Sequence, residues 1–251
     1  MKAIATGLLA LFLVFPAVAE TREITVGAAA SLSDALDSAL VIWKEKHPAI
    51  KVTPIYGASG ALQKQIEQGA AVDVFISASP KQVTALEKAG LTVPDTRVDL
   101  FENEIVLVVP AGKNDIRGWA DLAGPGVTHI ALGEPSSVPA GQYAAETLKA
   151  LGLLDAVKPK TVYAKDVRQA LAYVASGNAD AGVVYLTDAI SASGVTIVAK
   201  APAGTHSPVL YPATVVTGSS DRQAAREFLA WLSTPEAARV FKRYGFIVQG
   251  K

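Results

Sequence analysis

The sequence predicts an α/β protein of two units, the second inserted into the first, with a ligand cleft between them. Three observations predict it. Short β-branched runs alternate with amphipathic segments from residue 24 in the order βαβαβα, which argues for a parallel sheet covered by helices on both faces. A second α/β series follows the strongest strand pattern in the chain, residues 104–110, and two extended connections join it to the first unit. Several strand-to-helix turns are built from glycine, alanine and serine, and in open α/β sheets such turns gather at the carboxyl ends of strands, where ligands bind.

Residues 1–19 stand apart from this pattern. Met1-Lys2 is a positive start, residues 8–14 are apolar, and Ala17-Val18-Ala19 is an A-x-A signature before Glu20. The stretch is short for a membrane span and predicts a signal peptide cleaved after Ala19, hence export to the periplasm. The chain has no cysteine, which removes a disulfide scaffold, a thiolate metal site and a lipidated N-terminal cysteine. Its 23 basic and 23 acidic residues become 22 and 23 once Lys2 leaves with the signal. There is no basic field for nucleic acid or an anionic membrane. His47, His129 and His206 are scattered without metal-ligand spacing, which argues against a zinc enzyme.

Taken in order, Ile24-Thr25-Val26 is a strand that leads through Gly27-Ala28-Ala29-Ala30-Ser31 into a helix with the stripe Leu36, Ala39, Leu40 and Trp43, stopped near His47-Pro48. A strand over residues 51–55 runs into the turn Tyr56-Gly57-Ala58-Ser59-Gly60-Ala61-Leu62 and an amphipathic segment over 62–68. Val74-Phe75-Ile76-Ser77 is a compact buried strand, and a helix over 80–89 begins with proline and ends at Gly90. In the second unit, the strand His129-Ile130-Ala131-Leu132 precedes a loop and a helix opened by Pro139-Ala140-Gly141. Thr161-Val162-Tyr163 leads to Asp166, an N-cap for a helix buried along Val167, Ala170, Leu171 and Val174. Ala181-Gly182-Val183-Val184-Tyr185 is a buried strand that ends in a tyrosine, and residues 195–199 form another. The run 210–216 reads as a long strand whose Pro212 suits a crossover better than a central sheet position. Two helices close the chain, one buried along Ala225, Phe228, Leu229 and Leu232, the other along Ala237, Val240, Phe241 and Tyr244.

Ser31, Ser59, Ala140 and Val167 thus fall at helix N-termini, where first-turn N–H groups lack intrahelical acceptors and the helix dipole is positive. Tyr185 falls at the same edge. Ser59 alone also fits an ordinary N-cap; the repetition is what points to an anion. No Arg or Lys occupies the centre of these turns, and the neighbouring Lys165 and Arg168 are free to point to solvent. Hydrogen bonds to charged groups are worth about 1.5–3 kcal/mol each, so six to eight would supply on the order of 10–20 kcal/mol before desolvation, against about 12 for nanomolar affinity. Such a donor-only site favours a doubly ionised oxyanion, because a protonated oxygen would leave its own proton unpaired.

Two other functions compete. Gly57-Ala58-Ser59-Gly60-Ala61 nearly matches the G-x-S-x-G elbow of serine hydrolases, but Ala61 replaces the second glycine and only His206 is an arguable partner. A receptor for small organic acids would use an arginine such as Arg168 as its anchor. No P-loop or dinucleotide glycine motif is present.

The segments Ala28-Ala29-Ala30-Ser31-Leu32, Ala58-Ser59-Gly60-Ala61-Leu62 with Gln65-Ile66-Glu67, Asp73-Val74-Phe75-Ile76-Ser77-Ala78, Val138-Pro139-Ala140-Gly141, Asp166-Val167-Arg168, Gly182-Val183-Val184-Tyr185 and Phe241-Lys242-Arg243-Tyr244-Gly245-Phe246 resemble, in order and spacing, the periplasmic molybdate-binding proteins of ABC transporters. The resemblance covers essentially the whole mature chain. It implies a two-lobed type II periplasmic-binding fold, each lobe a mixed, mainly parallel sheet flanked by helices. Lobe I would comprise 20–103 and 214–251, lobe II 104–213, with two hinge crossings. It implies ligand contacts from the hydroxyl and N–H groups of Ser31 and Ser59, the N–H groups of Ala140 and Val167, and the hydroxyl of Tyr185. Gly60 departs from relatives that carry a serine there, which implies a looser second loop. The ligand would be molybdate or tungstate, held as an oxyanion without direct metal ligands; sulfate is the alternative oxyanion. No cofactor and no catalysis are implied, and the partners would be the ligand and a membrane permease, with the receptor a monomer.

Overall fold

The computed structural model describes residues 22–248; the expected leader and its cleavage site lie outside the described residues. In chain order the elements are β1 (Arg22–Ala29), α1 (Ser33–Lys46), β2 (Ile50–Gly57), α2 (Ser59–Glu67), β3 (Val74–Ile76), α3 (Pro80–Lys88), β4 (Val98–Glu102), β5 (Ile105–Pro110), β6 (Ile130–Gly133), α4 (Pro139–Ala150), α5 (Leu154–Val157), β7 (Thr161–Ala164), α6 (Val167–Ala175), β8 (Ala181–Tyr185), α7 (Leu186–Ile190), β9 (Val195–Lys200), β10 (Leu210–Val215), α8 (Arg222–Leu232), α9 (Pro235–Arg243) and β11 (Ile247–Val248). Short 3₁₀ turns lie at Ala30–Leu32, Trp119–Ala123 and Lys158–Lys160.

Two sheets result. One has the order β11-β4-β10-β3-β1-β2 and the other β7-β6-β8-β5-β9. Every strand of the second sheet comes from the stretch between β4 and β10, so the second unit is inserted into the first. Both sheets are mixed. β1 pairs in parallel with β2 and β3, and β6 with β7 and β8, whereas β10, β4, β11, β5 and β9 run antiparallel to their neighbours. The antiparallel share exceeds the expected one because the strands flanking the two crossings enter against the direction of the βαβ units.

Local chemistry accounts for the elements that position the site. Ile24, Val26 and Ala28 on β1 are fully buried, as a strand covered by helices requires. α3 is capped by Ser79, which accepts from Lys81 N–H, and starts with Pro80; α6 is capped by Asp166, α8 by Asp221 and α9 by Thr234. Pro212 departs from expectation. β10 is interior, between β4 and β3, and not merely a crossover. Its register against β4 shifts between Tyr211 and Pro212, so the missing N–H falls at a bulge, while the Pro212 carbonyl still accepts from Ser77 N–H at 2.9 Å.

One carboxylate ties the lobe II sheet to its preceding loop. Asp180 Oδ2 accepts from Thr128 N–H (2.8 Å), Thr128 Oγ1 (3.0 Å) and His129 N–H (2.9 Å), and Oδ1 lies 2.7 Å from Lys113 Nζ. Burial alone would raise its pKa, but the Lys113 contact and these donors hold it well below the usual carboxylate range. A lowered folded-state pKa contributes stability above the unfolded value of about 3.9, lost as pH falls toward the folded one. Asp180→Asn is therefore expected to cost about 1–2 kcal/mol in urea unfolding at neutral pH, allowing for partial exposure, with the gap to wild type narrowing by about pH 2.5. An equal gap at both pH values would remove the charge from the explanation.

Candidate functional site

The five residues singled out in the sequence come together. Ser31, Ser59, Ala140, Val167 and Tyr185 all line one small, tight cavity, with Ala29, Ala30, Gly57, Ala58, Ala78, Val138, Pro139 and Asp166. Its backbone-lined walls leave room for a few atoms only, so the space suits a compact ligand and not a drug-sized one. No Lys, Arg or His lines it.

Each group arrives at the end of a strand. β1 passes into the 3₁₀ turn that carries Ser31, where alanines at 28–30 leave room for close packing. β2 passes into α2, whose N-cap is Ala58 in extended conformation and whose first residue is Ser59. Ser59 is thus not the N-cap that the turn suggested. Its Oγ instead accepts from Ala78 N–H at 3.0 Å. That bond uses the oxygen as acceptor and leaves the hydroxyl proton free for the cavity. Pro139 and Ala140 open α4, and Val167 opens α6 behind Asp166, whose Oδ1 is engaged by Gln169 N–H at 2.8 Å. By position, the N–H groups of Ser59, Ala140 and Val167 have no intrahelical acceptor.

Tyr185 ends β8, is 1% exposed, and its hydroxyl has no hydrogen-bond partner. Burial pushes its pKa well above the ordinary value, so it stays protonated and available as a donor. An unpaired buried hydroxyl costs about 1–3 kcal/mol, which marks a place where a ligand oxygen fits. Ser31 Oγ lies 2.9 Å from the hydroxyl of Tyr211, which also accepts from Asn103 Nδ2 at 3.3 Å.

The two lobes meet around the cavity. Gly60 N–H donates to Ser137 O at 2.9 Å. A Cβ on Gly60 would lie 2.6 Å from that oxygen and 2.8 Å from Ser137 Cα, so glycine here permits close approach of two backbones rather than a looser loop. Arg168 does not point to solvent. Its Nη2 lies 2.9 Å from Asp34 Oδ2 on α1 and its Nε 2.7 Å from Asp188 Oδ1 on α7, although the Nε–H is poorly aligned for a hydrogen bond. Asp188 is fully buried, and burial raises its pKa to about 7 against the pull of Arg168. The guanidinium is thus committed to two carboxylates and is absent from the cavity lining.

His206 does not line the cavity either; its Nδ1 lies 2.7 Å from Ser207 O, so no Ser–His couple forms with Ser59. Among the described residues no group of three or more His, Cys, Asp or Glu is placed to hold a metal ion. Ala78, Tyr211 and Asn103 were not anticipated. The segment Asp73 to Ala78 was conspicuous in sequence, but its role, an N–H that orients Ser59, needs the tertiary fold.

Residues 24–247 match the family model described as bacterial extracellular solute-binding protein. A Bacillus subtilis protein provisionally named an ABC transporter substrate-binding lipoprotein is 46% identical over 90% of this chain and 86% of its own length. The molybdate-binding protein of Haemophilus influenzae is 39% identical over 91% of each chain. Among solved structures, the periplasmic molybdate-binding protein of Azotobacter vinelandii superposes with a TM-score of 0.81 at 29% identity, covering 90% of this chain and all of that one. The two mixed sheets, flanking helices and interlobe cavity of the present chain are those of a two-lobed type II binding fold. With the family model spanning residues 24–247 and relatives well above 30% identity over nine-tenths of the sequence, the chain belongs to the bacterial extracellular solute-binding proteins, which hold a ligand rather than transform one.

Proposed function

We propose that this chain captures molybdate, with tungstate as a near-isosteric second ligand, and delivers it to the membrane permease of an ABC importer. The observation that carries the reading is the set of unengaged donors around one small cation-free cavity, above all the buried and unpartnered hydroxyl of Tyr185. Ser31, Ser59 and Tyr185 offer hydroxyls, and Ser31, Ser59, Ala140 and Val167 offer N–H groups from first turns. At about 1.5–3 kcal/mol per charge-assisted bond such a set is sufficient for tight binding without a countercharge. The choice of molybdate over other tetrahedral oxyanions is supported by the names of the relatives.

The receptor works as an exported monomer, cleaved after Ala19. Lobe I holds Ser31 and Ser59, lobe II holds Ala140, Val167 and Tyr185, and ligand favours the closed arrangement because only that arrangement offers both sets. We place the second hinge crossing ahead of Leu210, since all of β10 pairs within the lobe I sheet, rather than between residues 213 and 214.

Calorimetric titration of ligand-free mature protein with molybdate, tungstate, sulfate and phosphate tests the assignment. Molybdate and tungstate are expected to bind in the nanomolar range, about 12 kcal/mol, and sulfate at least about tenfold more weakly. Sulfate binding equal to or tighter than molybdate would overturn it.

A further inference from the structure

We infer that Asn103 and Tyr211 are positioning residues that fix the direction of the Ser31 hydroxyl proton, and that this makes the site reject oxyanions carrying a proton. The inference rests on the oxyanion reading above and adds to it the residues that enforce selectivity.

The polarity of the chain follows from its fixed end. Asn103 is 7% exposed, and its Oδ1 accepts from Glu104 N–H at 2.9 Å, so its amide cannot be turned over without setting NH₂ against N–H. Its Nδ2 therefore donates, to Thr187 Oγ1 at 2.9 Å and to the Tyr211 hydroxyl at 3.3 Å. Tyr211 is fully buried, and its hydroxyl is hydrogen-bonded to Asn103 Nδ2 and to Ser31 Oγ at 2.9 Å, with the Tyr185 hydroxyl nearby but outside hydrogen-bond geometry. Asn103 has no lone pair to offer on that nitrogen and the Tyr185 hydroxyl makes no hydrogen bond, so the Tyr211 proton goes to Ser31 Oγ. One lone pair of Ser31 is thereby used, and its own proton can no longer go to Tyr211 and is left for the cavity. Ser59 reaches the same state through Ala78 N–H. Both serines then turn a proton to the cavity, and a ligand oxygen that donates its hydrogen to either of them leaves the serine proton without an acceptor.

The placement is specific to the fold. Asn103 lies between β4 and β5 on the first crossing, and Tyr211 is the second residue of β10 on the return. The Tyr211 ring is wedged edge-on between Tyr185 (5.8 Å between centroids) and Phe246 (5.4 Å), so the hydroxyl cannot swing away. The relay carries no charge and touches no ligand; it acts through Ser31.

The test uses the full mature protein, with molybdate as the proton-free dianion and inorganic phosphate as the proton-bearing one, titrated calorimetrically at about pH 8, where both are dianions and any added charge weighs on them equally. Tyr211→Phe keeps the ring and frees Ser31 to rotate; it is expected to weaken molybdate about three- to tenfold and to narrow the molybdate-to-phosphate ratio. In a Ser31→Ala background the same change should have less than about a twofold effect, because the relay then has nothing to orient. Asn103→Asp reverses the chain: the carboxylate accepts from Tyr211, Tyr211 accepts from Ser31, and Ser31 turns a lone pair to the cavity. It should lower the ratio further than Tyr211→Phe, by about tenfold or more. If Asn103→Asp does not fold, the Tyr211–Ser31 cycle decides alone. An unchanged ratio in Tyr211→Phe, or an equal loss with and without the Ser31 hydroxyl, would overturn the inference and leave Tyr211 a packing residue. Failure of wild type to bind any of the four oxyanions would instead remove the oxyanion reading, and the inference with it.

Discussion

Alanine at position 60 is expected to weaken oxyanion binding by about a hundredfold or more while leaving the ligand-free protein as stable as wild type. The reason is local and steric. Gly60 is the second residue of α2, and the nearest atoms to a Cβ there are backbone atoms of Ser137 in the other lobe, at 2.6, 2.8 and 3.1 Å. Backbone cannot swing aside as a side chain does, so the lobes must stay apart by several tenths of an ångström, and the Gly60 N–H bond to Ser137 O is lost with them. Ala140, Val167 and Tyr185 all sit on the lobe that is held back. Two weakened charge-assisted bonds account for about 3–6 kcal/mol at full value and half of that if only stretched, which spans the expected loss. Alanine in a helix is intrinsically favoured over glycine by about 1 kcal/mol, so nothing within lobe I is penalised. Calorimetry should show the loss, and small-angle scattering should show less contraction on adding molybdate than in wild type. Wild-type affinity in Gly60→Ala would mean that the Ser137 contact is incidental to closure.

Ser59→Ala is expected to act twice. The hydroxyl is a ligand donor in our proposal, and its loss should reduce molybdate affinity about 10- to 100-fold. From sequence, that would be the whole effect, because the surrounding N–H groups remain. The structure adds a second one: Ser59 Oγ is the acceptor for Ala78 N–H, and Ala78 is 2% exposed. Without it that N–H is buried and unpaired, at a cost of about 1–3 kcal/mol in folding. Denaturant unfolding of the ligand-free variant separates the two. Lost affinity with unchanged stability would show that water reaches Ala78 and replaces the serine oxygen.

The five cavity residues could be found because each sits at a strand-to-helix junction that has its own local signature: Pro139 at the first position of α4, Asp166 before α6, alanines and glycines where a backbone must come close. Helices α6, α8 and α9 carry apolar stripes that survive any tertiary context. Strand β4 was missed because Val98-Asp99-Leu100-Phe101-Glu102 is short and charged; its burial comes from β10 and β11, more than a hundred residues away in sequence. Pro212 misled for the opposite reason: a proline argues against an interior strand unless a bulge absorbs it, and the bulge depends on the partner strand. Arg168 shows the same limit at the site. Its freedom in sequence ends in the fold because Asp34 and Asp188, on two different helices, converge on it. An Arg168→Ala variant therefore disturbs an interlobe ion pair, and its loss of binding would no longer identify a carboxylate anchor.

In the function we propose, the division of the donors between the lobes also governs how the cargo leaves. Hydrogen bonds near 2.9 Å are essentially gone once the partners separate by about a further ångström. Because the donors have no fixed cation behind them, there is no long-range attraction to retain an ion after that small movement. On that proposal a transporter that pries the lobes apart slightly disarms the three groups on one side together, and unloading is expected to need leverage rather than chemistry, a competing anion or a change of pH.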